Sequence, residues 1–216
     1  DPTAMEERYE LSPKVRFSFR WGEADPRFDA SRNRNEPNHF GWVVEFDPYD
    51  PTFVPVKRTA LGRCSHEGAT YAICKDGRVA FYTGDDRAFE YLYKFVTRKP
   101  WNPNERAANR DLLDEGTLYV ARCHADGSGE WVELTHGKNG LSAANGFDSQ
   151  GAVAMYARAA GDTVGATKMD RPEWVARHPH TGDMYVTLTN NASRGRQGSE
   201  GANPANPRAP NPYGHI

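Results

Sequence analysis

The stretch His66-Glu67-Gly68-Ala69-Thr70, running on through Lys75-Asp76-Gly77-Arg78 to Phe81-Tyr82-Thr83-Gly84-Asp85-Asp86, decides the fold. It reads as a glutamate opening a strand, an Asp-Gly turn, a returning strand, and then two adjacent side-chain oxygens. Asp-Gly between apolar runs is the strongest short hairpin signal, because the tight turn requires positive φ. The same unit recurs as Pro172-Glu173-Trp174-Val175, Thr181-Gly182-Asp183, and Met184-Tyr185-Val186-Thr187-Leu188-Thr189-Asn190-Asn191. Glu67 stands 19 positions before Asp86, and Glu173 stands 18 before Asn191. A repeated strand–turn–strand unit is the mark of propellers and related radial folds. The predicted fold class is therefore all-β and β-propeller-like, a partial set of blades, with one inserted helix near 149–160.

Working outward, further hairpins fill the chain. Gly41 to Phe46 and Val54 to Leu61 read as strands around the turn Asp47-Pro48-Tyr49-Asp50-Pro51. Glu90 to Thr97 is aromatic and alternating, and Thr117 to Arg122 with Trp131 to Leu134 turns through Asp126-Gly127. Val15-Arg16-Phe17-Ser18-Phe19-Arg20-Trp21 alternates like a strand. Residues 98–111 read as a surface loop. Asp148 or Ser149 caps a helix whose apolar positions recur at helical spacing until Gly161. From Ala192 on, Gly, Asn, Pro and Arg without periodicity predict a loop.

The start of one strand and the end of its antiparallel partner share one end of a hairpin. The repeat thus brings Glu67 toward Asp85 and Asp86, and Glu173 toward Asn190 and Asn191. Carboxylate and amide oxygens are what a hard cation such as Ca²⁺ takes, six to eight at a time. Without a cation, converging acids repel and raise one another's pKa. Glu67, Glu173, Asp85, Asp86, Asn190 and Asn191 are accordingly the candidate metal ligands. Arg171 lies two residues before Glu173, and Pro172 biases it toward an extended backbone, which would project both side chains the same way. A planar guanidinium beside a metal cluster suits a phosphate, so Arg171 is the candidate substrate-binding and catalytic group. His66 points away from Glu67 and reads as structural, while His178 and His180 flank a turn.

Composition narrows the classes. The 216 residues carry a formal charge of −2 with scattered basic residues, which disfavours nucleic acid as a partner. No apolar run approaches the roughly 20 residues that span a bilayer, and no signal peptide opens the chain. Nothing points to a protein partner. Mean hydropathy is −0.80, polar for a globule, yet 12% aromatic residues argue against disorder. Cys64, Cys74 and Cys123 form no Cys-x-x-Cys and read as free thiols on strands. No nucleophile elbow, Walker loop or zincin motif is present.

Taken together, the motifs resemble the PhoX family of bacterial alkaline phosphatases. They are Asn35-Glu36-Pro37-Asn38, Phe40-Gly41-Trp42-Val43-Val44-Glu45, Lys57-Arg58-Thr59-Ala60-Leu61-Gly62-Arg63 and His66-Glu67-Gly68-Ala69. Gly84-Asp85-Asp86, Glu90-Tyr91, Met169-Asp170-Arg171-Pro172-Glu173, Thr189-Asn190-Asn191, Asn206-Pro207-Arg208 and Tyr213-Gly214-His215-Ile216 follow in order. The resemblance implies a propeller-like phosphomonoesterase around a mixed Fe³⁺ and Ca²⁺ cluster, exported through Tat to the periplasm or beyond. By motif, Glu67 would be a cluster ligand, Glu173 a calcium ligand and Arg171 a contact to the substrate phosphate. The bridging cysteine and a further glutamate of that family lie N-terminal to this chain, so iron binding by the chain alone is not expected. Residues 1–216 then read as the central part of one propeller-like phosphatase domain, truncated at both ends. Two other readings fit the metal pattern: a non-catalytic calcium-binding propeller, and a calcium-dependent propeller hydrolase such as a lactonase. Neither needs Arg171.

Overall fold

The computed structural model describes residues 2–10 and 20–216. Most of the strand expected over 15–21 lies outside them, and Trp21 opens a short helix, α2 (Trp21–Ala24), after α1 (Ala4–Arg8). Nine strands form antiparallel sheets, and no closed barrel is present among the described residues. β1 (Val44–Glu45) pairs with β2 (Val56–Lys57). A five-stranded meander follows: β3 (His66–Ile73), β4 (Arg78–Asp85), β5 (Leu92–Pro100), β6 (Gly116–Cys123) and β7 (Gly129–Glu133). β8 (Pro172–Arg177) and β9 (Met184–Leu188) make the last hairpin. The all-β class expected from the repeat matches these antiparallel sheets. No helix among the described residues is long and apolar enough to cross a membrane.

Period-two alternation builds the core. On β5, Tyr93, Phe95 and Thr97 are buried while Leu92, Lys94 and Val96 are only partly so, as a strand with one face inward requires. That face meets Leu118 and Val120 of β6 and the helices α3 (Gln150–Met155) and α4 (Ala157–Thr163). Gly161 lets α4 lie flat on Tyr91, since a Cβ there would sit 2.7 Å from the ring.

Ser149 caps α3 as expected, accepting from the Ala152 amide at 3.1 Å. The single expected helix is nonetheless broken at Tyr156 (φ −111, ψ 45). The cause is tertiary. The Ala154 carbonyl accepts from the Arg63 amide, and the Arg158 amide that would have reached it donates to the Tyr9 hydroxyl. The two strands expected over 41–46 and 54–61 shrink to two residues each. Pro55 offers no donor, and Thr59–Leu61 winds into a 3₁₀ turn instead. The 98–111 segment is a loop only beyond β5, and Asn102 and Asn109 tie it off through a reciprocal pair of bonds at 2.7 and 2.8 Å.

The two repeat units pack against each other, β8 lying on β3 and β4. Gly84 permits this approach: a Cβ there would fall 2.4 Å from the Pro172 carbonyl oxygen and 2.6 Å from that of Glu173. Gly84→Ala must push β8 off β4, an overpacking cost of about 1–3 kcal/mol. Chemical denaturation of the full-length protein should show this as a lower midpoint, and an unchanged midpoint would contradict the packing.

Candidate active site

Both glutamates sit at irregularities of their hairpins. Glu67 pairs with Gly84 where the β3–β4 register shifts, between Glu67 and Thr70. Glu173 lies inside the equivalent shift on β8, between Pro172 and Val175. A bulge bends the strand and re-aims a side chain, and bulges are common beside active sites. Gly68, with φ +66, completes the first bulge and lies against the Trp174 ring. The Glu67 carboxylate is half-buried and bonds no described side chain or backbone group.

Arg171 is the hub. Its Nε and Nη2 each donate to an oxygen of Asp86 at 3.0 Å, a bidentate pair. Nη1 donates to Asn190 Oδ1 at 3.3 Å, and Glu173 Oε1 lies 3.9 Å from Nη2. Asp86 thus claims one edge of the guanidinium, leaving N–H groups at its Nη1 and Nη2 end. The expected extended backbone is not found. Arg171 has φ +46, in the left-handed region, which costs a non-glycine residue on the order of 1–3 kcal/mol. The pre-proline bias against the right-handed helix is obeyed, but by the other exit.

The structure brings together Arg171, Glu173, Asp86 and Asn190, and it turns Asp85 and Asn191 away. Asp85 has no exposed surface. Its Oδ2 accepts from Arg158 Nε, and its Oδ1 from Arg158 Nη2 and the Ser65 amide, all at 2.7–3.0 Å. Burial works against the Arg158 charge, but the bonds and charge of Asp85 outweigh it and raise the guanidinium's pKa. Asn191 donates its amide to Asp170 at 3.0 Å and accepts from the Ser193 amide. In this structure both candidate ligands serve as internal cross-links. The reason is the alternation of an extended chain: of two adjacent residues, only one faces a given side.

Sequence reading passed over the groups that hold this arrangement. Asp170 is fully buried and accepts from Arg194 Nε, Asn191 Nδ2 and Asn211 Nδ2, while its amide donates to Asn206 Oδ1. The aperiodic tail is thereby pinned beneath Arg171, with Asn191 and Asn211 also exchanging backbone bonds. The clue was the recurrence of asparagine in a region without hydrophobic pattern.

For metal binding the chain's donors are partial. Among the described residues no three His, Cys, Asp or Glu side chains converge to hold an ion. The oxygen donors of Glu67 and Glu173 suit a hard cation. Sulfur donors do not join them. Cys64 is buried beside His66, and burial pushes its thiol pKa well up; Cys74 and Cys123 are free thiols at turn ends of β3 and β6. His66 is itself structural, as expected, bonded to Gly62 and Thr83, its pKa lowered by burial.

The family model described as alkaline phosphatase PhoX matches residues 4–216. No curated protein matches the chain. Among solved structures, Pseudomonas fluorescens PhoX in complex with vanadate, a transition state analogue, is 50% identical and superposes with a TM-score of 0.94. The match covers 99% of this chain and 38% of that one, so the chain spans well under half the length of its structural relative. The motif order, the repeated bulged glutamates and these matches agree: the chain belongs to the PhoX family of alkaline phosphatases.

Proposed function

We propose that this chain forms the central part of a metal-dependent phosphomonoesterase built on a propeller-like scaffold and acting in the periplasm. One observation carries the reading: an arginine in a left-handed backbone, gripped along one edge by Asp86, with Glu173 3.9 Å from its Nη2. A gripped guanidinium keeps its fork geometry, and its free end suits the oxygens of a phosphoryl group. Such fixed donors stabilise charge on the transferring group without reorganising during the reaction.

Glu173 would hold calcium, and Glu67 would be a ligand of the mixed iron and calcium cluster that the resemblance implies. Bound there, the cations supply Lewis acidity toward the phosphoryl oxygens. The chain's own residues position the substrate. Arg171 takes the phosphate, Asn190 and Asp86 orient Arg171, and the close contact at Gly84 fixes the spacing of the two glutamates' strands. A calcium-dependent lactonase or a non-catalytic calcium propeller gives no use to a gripped Arg171, so the phosphatase is preferred.

Metal analysis and a phosphate-release assay on the full-length protein test the reading. Chelation should abolish release of phosphate from a simple aryl phosphate, and restored calcium and iron should return it. A protein that purifies with neither calcium nor iron, or that releases phosphate equally well after chelation, would refute the proposal.

A further inference from the structure

Arg171 holds a strained backbone, and strain persists only where the surroundings over-determine it. The group immediately before it, Asp170, is a fully buried carboxylate with both oxygens bonded. Asp170 Oδ1 accepts from Arg194 and Asn191, and Oδ2 from Asn211. Arg194 is equally buried, and its remaining nitrogens donate to the carbonyls of Gly201 and Lys168, both at 2.8 Å. The network thus leaves no charge uncompensated, the condition under which buried polar networks become rigid.

Its position matters more than its strength. Asp170 precedes Arg171, and Asn191 follows Asn190, whose Oδ1 receives Arg171 Nη1. The Asp170–Asn191 bond therefore ties together the backbones on both sides of the guanidinium, and the Thr189 amide adds a bond to the Arg171 carbonyl at 3.2 Å. We propose that Asp170, acting through Asn191, is a positioning residue for Arg171, fixing the guanidinium for the transferring phosphoryl group without touching it. The inference rests on the phosphate role proposed for Arg171.

The test is a double-mutant cycle in the full-length, metal-loaded protein. Asn191→Ala cuts the link while Arg194 and Asn211 still compensate Asp170, and the backbone bonds of Asn191 to Asn211 need no side chain. We expect kcat to fall about 10- to 100-fold, the scale of a misplaced catalytic group. KM should change little, orthovanadate inhibition should weaken in parallel, and bound metal should be unchanged. In an Arg171→Ala background the same substitution should cost less than about twofold, because coupled residues are not additive. Equal losses in both backgrounds would reduce Asp170 and Asn191 to a structural role and overturn the inference while leaving Arg171's role intact. Full turnover in Arg171→Ala alone would instead sink the phosphate role, and the inference with it. If Asn191→Ala fails to fold, Asn191→Ser carries the same cycle with a smaller perturbation.

Discussion

Replacing Arg171 by alanine in the full-length protein is expected to lower phosphate-ester turnover about 10²- to 10³-fold, the loss that follows removal of one preorganised oxyanion donor. The loss should fall on kcat and kcat/KM alike, since the guanidinium's charge matters most as charge shifts onto the transferring group. Bound metal should be retained, because Arg171 lies 3.9 Å from Glu173 and donates no electron pair. Lysine should not restore the activity. Asp86 holds Arg171 through Nε and Nη2 at once, and a single ammonium cannot occupy that edge and still reach a phosphate. The change has an opposing term: alanine and lysine meet the same left-handed strain at φ +46, while losing the Asp86 clamp that offsets it. A modest fall in stability should accompany the loss of turnover. Steady-state kinetics with parallel metal analysis check all of this, and near-normal kcat in Arg171→Ala would remove the phosphate role.

What the sequence showed and what it hid divide along a physical line. The β3–β4, β6–β7 and β8–β9 hairpins were legible because local chemistry decides them: Asp76-Gly77, Asp126-Gly127 and Gly182-Asp183 supply the positive φ, and alternation supplies the faces. That Glu67 lies at the closing end of β4 followed from hairpin geometry, and it pairs there with Gly84. The break at Tyr156 was not legible, because its cause is the Tyr9 hydroxyl, brought from the other end of the chain. The conformation of Arg171 was hidden for the same reason, since the bonds that fix it come from Asn190, Asp86 and the pinned tail. Period two divides the pairs Asp85-Asp86 and Asn190-Asn191. One member of each pair faces Arg171, and the other must face the interior, where Arg158 and Asp170 wait for it.

That inward member leads to the largest expected effect on stability. Asp85→Ala in the full-length protein should lower the unfolding free energy by about 3–5 kcal/mol, because it strands a buried arginine. Arg158 is nearly as buried as Asp85, and Asp85 is its bidentate partner; Glu90 stands 3.7 Å away. Glu90 is a poor substitute, since Arg8 already holds both its oxygens at 2.5 and 2.8 Å. The Ser65 amide loses its protein acceptor as well. If the loss is chiefly the unpaired charge, then removing the charge should recover most of it. Asp85→Leu with Arg158→Met replaces the pair by apolar groups, leaves Glu90 with Arg8, and should lie well above Asp85→Ala in denaturant midpoint. It should not reach the wild-type value, because the bonds that Asp85 makes to Arg158 and Ser65 are lost in both. A double variant no more stable than Asp85→Ala would place the energy in the shape of the site rather than in its charge balance. The pair also bears on the active end of the sheet: the Asp86 amide donates to the Ser65 carbonyl at 3.0 Å, so Ser65 is shared between the buried pair and the residue that grips Arg171. Loosening Asp85 should therefore reach turnover too, even at temperatures where the protein remains folded.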